Sequence, residues 1–158
     1  MVAVCDADKP AAYDDLVAEN PDAALRWANL TDWEGVISAE GDIEAIAGAL
    51  EVSRSALGTW DQHQAQLRDF VIRTVGESDH VAAAADIPSL LAGYDEGARR
   101  QALAELLRGN SGIDFKSAID GRLVAEALPD VPPTIVRMME IVHSVADGTQ
   151  RADRSHNL

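Results

Sequence analysis

Apolar residues recur along this chain every three to four positions, and this spacing constrains the fold more than any other feature of the sequence. The clearest example is the stripe of Leu67, Phe70, Val71 and Val75, which has the spacing of an amphipathic helix. The strict alternation of apolar and polar residues that marks a half-buried strand is nearly absent. The sequence therefore predicts an all-α fold, a compact helical bundle of about six to eight short helices.

Capping residues and helix breakers mark where these helices begin and end. Gly41 and Asp42 form a stop followed by an N-cap, and the sequence predicts a helix over residues 43–50 and a second one beginning near Ser53. Gly76 ends the helix that carries the stripe, and Asp86, followed by Ile87 and Pro88, is typical of a helix entrance. Further helices are predicted over residues 10–19, 21–30, 98–107, 115–127 and 134–145, with Gly109 and Asn110 closing the one that ends at 107.

The domain organisation is predicted from an acidic stretch in the middle of the chain. Residues 76–96 carry five acidic side chains and no basic one. The predicted regions are an N-terminal helical region (1–76) that contains a helical unit at 42–62, an acidic linker (77–86), a C-terminal helical region with a possible role in oligomerisation (87–148), and a frayed tail (149–158). Met138, Met139, Ile141 and Val142 in the last helix are expected to be core residues or a dimer contact.

The charge balance is strongly acidic. The chain has 27 acidic residues against 13 basic ones, a net charge of −14, and its lysines are Lys9 and Lys116 alone. This composition resembles that of proteins from salt-loving archaea, whose salty cytoplasm screens repulsion between acidic side chains beyond about 3 Å at 1 M salt. A mesophilic source with a high-GC genome and a modest acidic bias is the rival interpretation.

Several classes of protein are excluded by what the sequence lacks. The lone Cys5 has no partner for an internal disulfide, the N-terminus is not a signal peptide, and no apolar run approaches the roughly 20 residues of a membrane span. A soluble cytoplasmic protein is expected. The histidines, at positions 63, 80, 143 and 156, have no metal-ligand spacing, and no catalytic motif is present, so we expect no enzyme, no metal and no cofactor.

The segment 42–62, DIEAIAGALEVSRSALGTWDQ, has the pattern of two short helices that cross over a tight turn. Apolar and small residues stand where such helices face each other, a valine plugs the turn, and a serine caps the second helix. The residues that carry this pattern are Ile46, Ala47, Leu50, Val52, Ser53, Ser55, Leu57 and Trp60. The segment resembles the helix-turn-helix superfamily of DNA-binding modules. It departs from that pattern at Glu51, where the turn usually has glycine. It departs again at Gly58 inside the second helix, where glycine lowers helix stability by about 1 kcal/mol relative to alanine.

The resemblance implies that the chain is a sequence-specific DNA-binding protein, a transcriptional regulator or a DNA-packaging subunit of a virus or mobile element. Its partner would be double-stranded DNA, and the protein would be a homodimer or a higher homo-oligomer. The implied DNA-binding residues, on the outward side of the second helix, are Ser53, Arg54, Ser55, Thr59 and Gln62. Arg54 would read guanine and Gln62 adenine.

A second function is compatible with the same pattern, because an ordinary helical hairpin has the same apolar spacing. The chain would then be a non-catalytic protein-interaction or assembly adaptor that docks a protein partner on this hairpin. The charge distribution leaves both possibilities open. Residues 42–75 have a net charge of −2 and residues 97–125 a net charge of +2, so their arginines could contact phosphate or could form surface ion pairs with neighbouring acids.

Overall fold

The computed structural model describes residues 2–5, 23–26, 32–56, 60–111, 118–147 and 155–157. Helix predominates in these ranges, which confirms the predicted all-α class. A short 3-10 helix, Val81–Ala83, accompanies the α-helices of the described ranges. Those helices are α1 Trp33–Glu40, α2 Ile43–Ala56, α3 Trp60–Val75, α4 Ile87–Ala92, α5 Glu96–Leu107, α6 Ala118–Ala127 and α7 Pro133–Ala146.

Three short strands pair in parallel in the order β1-β2-β3; they are β1 Val2–Cys5, β2 Ala23–Arg26 and β3 Ser155–Asn157. The sequence predicted none of these strands. The helix expected over residues 21–30 is wrong at β2, because a short apolar run fits a strand as well as one face of a helix. The tail expected to fray includes β3, because a pairing made by backbone hydrogen bonds leaves no pattern in the sequence. The helix predicted over residues 10–19 lies outside the described residues.

The chain divides into two units. The first comprises residues 1–40 and 131–158, and within its described part α1 packs against α7. The second comprises residues 41–130 and contains helices α2 to α6. The segment 77–86, predicted as a linker, lies inside the second unit, where Val81 and Ala84 are buried.

The core of the second unit is formed by the faces that the apolar spacing indicated. Ile46, Ala47 and Leu50 of α2 are buried, and so are Leu67 and Val71 of α3. Helix α2 packs against α4, α5 and α6, while α3 packs against α5. Further large apolar side chains buried in this core include Phe70, Ile87, Leu90, Leu91, Leu103, Leu106 and Leu107.

The predicted caps are confirmed where they depend on neighbouring residues. The Asp42 carboxylate accepts a 2.8 Å hydrogen bond from the backbone N–H of Ala45 at the start of α2. Asp86 and Ser89 form a reciprocal capping box at the start of α4. Gly76 and Gly109, which follow α3 and α5, have φ of 96° and 75°, the left-handed region that favours glycine.

The predicted end of the first helix of the 42–62 unit is wrong. Helix α2 does not stop at Leu50 but continues to Ala56, and the next helix begins at Trp60. Residues 51–53, expected to form the turn, are therefore helical. Val52, expected to plug that turn, is 56% exposed. The reason lies in contacts that Glu51 and Arg54 make with a distant part of the chain.

Candidate functional site

The structure separates the residues proposed to bind DNA. Ser53 and Arg54 are buried in α2, and Arg54 is 0% exposed. Ser55, one position further along the same helix, is exposed. Thr59 lies outside the described residues, and Gln62 belongs to α3 but its side chain lies outside the described part. The outward direction expected for Arg54 is wrong, because the helix that carries it has no turn at residues 51–53 and so presents a different face to solvent.

Arg54 is paired with an acidic side chain of its own helix. Its guanidinium forms an ion pair with the carboxylate of Glu51, one turn earlier in α2. The pKa of Asp86, the N-cap of α4, is lowered mainly by hydrogen bonds with Ser89 and further by the nearby positive charge of Arg54. A guanidinium in a protein interior requires such partners, because its charge cannot be neutralised by deprotonation. The buried arginine therefore lies close to the start of α4.

Glu51 makes a second contact that fixes this junction. One oxygen of its carboxylate bonds to Arg54 and accepts a 3.2 Å hydrogen bond from the Ser55 hydroxyl. The other oxygen accepts a 2.9 Å hydrogen bond from the backbone N–H of Ile87, the first residue of α4. The sequence offered one signal for this arrangement: Glu51 and Arg54 stand three positions apart, a spacing that allows an ion pair if the helix continues.

Asp86 completes the junction from the side of α4. Its pKa lies below the usual value, first because of the interaction with the Ser89 side chain, second because the Ser89 backbone N–H donates a hydrogen bond to the carboxylate, and then because of the nearby Arg54. Burial acts in the opposite direction and raises the pKa. The ionised form of Asp86 is thus the form that the folded protein stabilises.

Six further arginines of the second unit also bond to the protein's own acceptors. Ion pairs join Arg99 to Glu44, Arg100 to Glu96, Arg108 to Glu105 and Arg122 to Glu126. Arg68 and Arg73 of α3, considered for contact with the DNA backbone, donate to the main-chain oxygens of Ala84 and Asp69. The four ion pairs are of the kind that was the alternative interpretation of the basic residues.

The residues at the centre of the outward side of α2 are small or apolar. Glu44, Gly48, Val52 and Ser55 follow one another at helical spacing on this side, and we call them the α2 outer strip. Val52 is the exposed apolar side chain of the strip. A Cβ placed on Gly48 would meet no atom within 4 Å, so the backbone is open to close approach at this point.

Helix α7 is the second apolar surface. No residue of this helix is buried, although seven of its fourteen residues are Ile, Val or Met. Val136 and Met139 are 41% and 50% exposed. The expectation that Met138, Met139, Ile141 and Val142 are core residues is therefore wrong, while a role in a dimer contact stays a prediction.

Within the described ranges, no group of three His, Cys, Asp or Glu side chains could hold a metal ion. No helix described by the structure has both the length and the apolar character needed to cross a bilayer. His80, in the loop before α4, bonds through Nδ1 to the Ser78 hydroxyl at 2.7 Å and through Nε2 to the Leu90 carbonyl at 3.0 Å. Because a carbonyl only accepts, Nε2 carries the proton of this hydrogen bond.

Comparison of the chain with models of known protein families, with curated proteins and with solved structures gives no match.

Proposed function

We propose that this protein is a non-catalytic protein-interaction adaptor that docks a protein partner on the α2 outer strip. The observation that carries the proposal is the direction of two neighbouring side chains: Val52 points to solvent and Arg54 is buried. A DNA-reading helix needs the opposite arrangement, with a cation or hydrogen-bonding side chain free to enter the groove. A helix that docks a protein presents exposed apolar side chains to its partner, as Val52 does here.

The charge of the protein also favours the adaptor over a DNA-binding function. Affinity for DNA comes largely from neutralising phosphates with lysine and arginine side chains. Helices α2 and α3 carry Arg54, Arg68 and Arg73, and each donates to an acceptor of the protein itself. A phosphate would have to compete with those contacts on a chain whose net charge is −14. DNA binding through Ser55, Thr59 and Gln62 stays a prediction from the sequence, and the test below distinguishes it.

The test places a photo-crosslinking amino acid at Ser55, beside Val52 on the strip, and irradiates the protein in an extract of the cells that produce it. We expect a discrete protein adduct that disappears when Val52→Asp is added. The control carries the crosslinker at Glu126, an exposed position of α6 in the same unit, and should give no such adduct. Equal adducts at both positions, or an adduct indifferent to Val52→Asp, would contradict the proposal.

A mobility-shift assay tests whether the same protein binds DNA. Genomic DNA fragments are incubated with the protein at moderate and at molar salt, since the electrostatic part of binding falls steeply with salt. We expect no sequence-selective retention at either concentration. Selective retention that is lost in Ser55→Ala would overturn the adaptor proposal and establish DNA binding by this segment.

A further inference from the structure

Resting on the adaptor function above, we further propose that the partner docked on the α2 outer strip is a basic amphipathic helix of another protein. That helix packs an apolar side chain on Val52 and places a lysine or arginine beside Glu44. The chemistry of the partner is inferred from the charges that surround the exposed valine.

Helix α2 shows only negative charge to solvent. Its charged residues are Glu44, Glu51 and Arg54. The side chain of Glu44 is exposed and that of Glu51 is partly exposed, whereas Arg54 is buried. A partner that approaches the outer face of α2 therefore meets two carboxylates and no cation of this helix.

The arginines that pair with these carboxylates are less exposed than the carboxylates themselves. Arg99 of α5 pairs with Glu44, and its side chain is 18% exposed against 66% for Glu44. Arg54 and Glu51 follow the same order. On α6 the order is reversed, since the side chain of Arg122 is more exposed than that of its partner Glu126. Ion pairing at the strip thus leaves the acid outermost, and the field that a partner meets there favours a cation.

The distance between the apolar and the acidic part of the strip sets the spacing of the partner's side chains. Glu44 and Val52 stand eight positions apart, which is roughly 12 Å along a helix axis. Gly48 lies between them, and a Cβ placed there would meet no atom within 4 Å, so a second helix can approach closely. The partner therefore needs an apolar and a basic position about eight residues apart on one helix face.

The backbone of α2 indicates that the partner is a helix and not an extended segment. The N–H and C=O groups in the middle of an α-helix bond within the helix, so an extended segment has no backbone group to pair with. Two helices instead pack through their side chains. The net charge of −14 repels acidic helices and nucleic acids alike. A basic amphipathic helix satisfies both the shape and the charge of the strip.

Titration of the isotope-labelled full chain with two synthetic peptides, followed by NMR, tests the proposal. The basic probe is an alanine-based helical peptide of about 18 residues, with leucines on one face and lysines along its edge, one of them eight positions from a leucine. The acidic probe has glutamate at every lysine position. We expect the basic probe to shift the signals of Gly48 and Val52 and to bind at least about tenfold more tightly than the acidic probe at about 0.1 M salt. The difference should shrink at about 1 M salt, where charges are screened beyond about 3 Å.

Three variants locate the contact, and circular dichroism should show equal helix content in all of them. Val52→Ala removes the apolar anchor without changing the charge, and should raise the dissociation constant of the basic probe at least about threefold. Glu44→Gln should raise it about two- to fivefold, the size expected for an exposed ion pair. Glu126→Gln is the matched control, because Glu126 is an exposed, ion-paired acid on α6, and it should leave the dissociation constant unchanged.

The outcomes distinguish the chemistry of the partner from the adaptor function itself. If the acidic probe binds at Val52 as tightly as the basic one, and both are weakened by Val52→Ala, the basic partner is overturned and the adaptor function stands. Binding of the basic probe that ignores Val52→Ala, or that weakens equally in Glu44→Gln and Glu126→Gln, is a general attraction to an acidic surface and also overturns the basic partner. If neither probe shifts Val52, a crosslinked adduct at Ser55 means that the strip docks a partner of other chemistry, and the lack of an adduct contradicts both proposals.

Discussion

The carboxylate of Glu51 accepts a hydrogen bond from the backbone N–H of Ile87, 36 positions later in the chain, at 2.9 Å. The first N–H groups of a helix have no partner within the helix, so Glu51 satisfies one of them at the start of α4. The same carboxylate neutralises Arg54, which is completely buried. One side chain thus connects α2, the buried guanidinium and the beginning of α4.

Glu51→Ala is expected to destabilise the fold by about 3 kcal/mol, because it leaves the guanidinium of Arg54 buried next to a lost partner. The measurement is urea unfolding followed by circular dichroism. Glu44→Ala is the matched control, since Glu44 lies on the same helix and pairs with Arg99 in an exposed setting. Its cost should be below about 1 kcal/mol. Equal costs for the two variants would mean that Arg54 does not depend on Glu51.

The lowered pKa of Asp86 predicts a loss of stability in acid. Because the carboxyl has a lower pKa in the folded than in the unfolded chain, its contribution is fully present above the unfolded value of about 3.9 and is lost as the pH falls through the folded pKa. Asp86→Asn keeps a capping side chain but removes the titration. Urea unfolding between about pH 6 and about pH 3 should show a smaller acid-induced loss of stability in the variant than in the parent protein. If stability falls equally with pH in both proteins, the acid-induced loss does not come from Asp86.

Gly93→Ala is expected to destabilise the second unit by about 1 to 3 kcal/mol, since the added methyl group would collide with the ring of His80. That ring is held between Ser78 and Leu90 and cannot move without losing a hydrogen bond. In Gly48→Ala the methyl group meets no atom, and this helical position should gain up to about 1 kcal/mol. Thermal unfolding compares the two variants. Adding His80→Ala should relieve Gly93→Ala, and a failure to do so would place the strain elsewhere.

Gly109→Ala should cost about 1 kcal/mol, because Gly109 has a φ of 75° in the turn that closes α5. The N–H groups of Gly109 and Asn110 bond to the carbonyls of Leu106 and Glu105, so this backbone conformation satisfies the end of the helix. Gly121→Ala, at a helical position of α6 with open space around it, should instead be neutral or stabilising. The denaturant midpoint should therefore fall in Gly109→Ala and stay or rise in Gly121→Ala, and an equal fall in both variants would argue against the role of the positive φ.

Local chemistry made several features of this protein predictable from its sequence. The start of α2 at Asp42, the capping box of Asp86 and the glycines at 76 and 109 depend on residues within one helical turn. The apolar spacing of Ile46, Leu50 and Leu67 likewise indicated which faces are buried. These predictions succeeded because the relevant hydrogen bonds and periodicities are all short in sequence range.

The direction of Arg54 was decided by tertiary structure alone. The sequence placed a turn at residues 51–53, where Glu51 and Val52 suit a turn as well as they suit a continuing helix. What keeps α2 helical there is a partner 36 positions away, the N–H of Ile87, together with Asp86 beside it. No local pattern records such a contact, because the free energy of burying and pairing a guanidinium depends on which helices meet. The contact between α2 and the start of α4 therefore determines which face α2 presents to solvent, and the proposed function depends on that face.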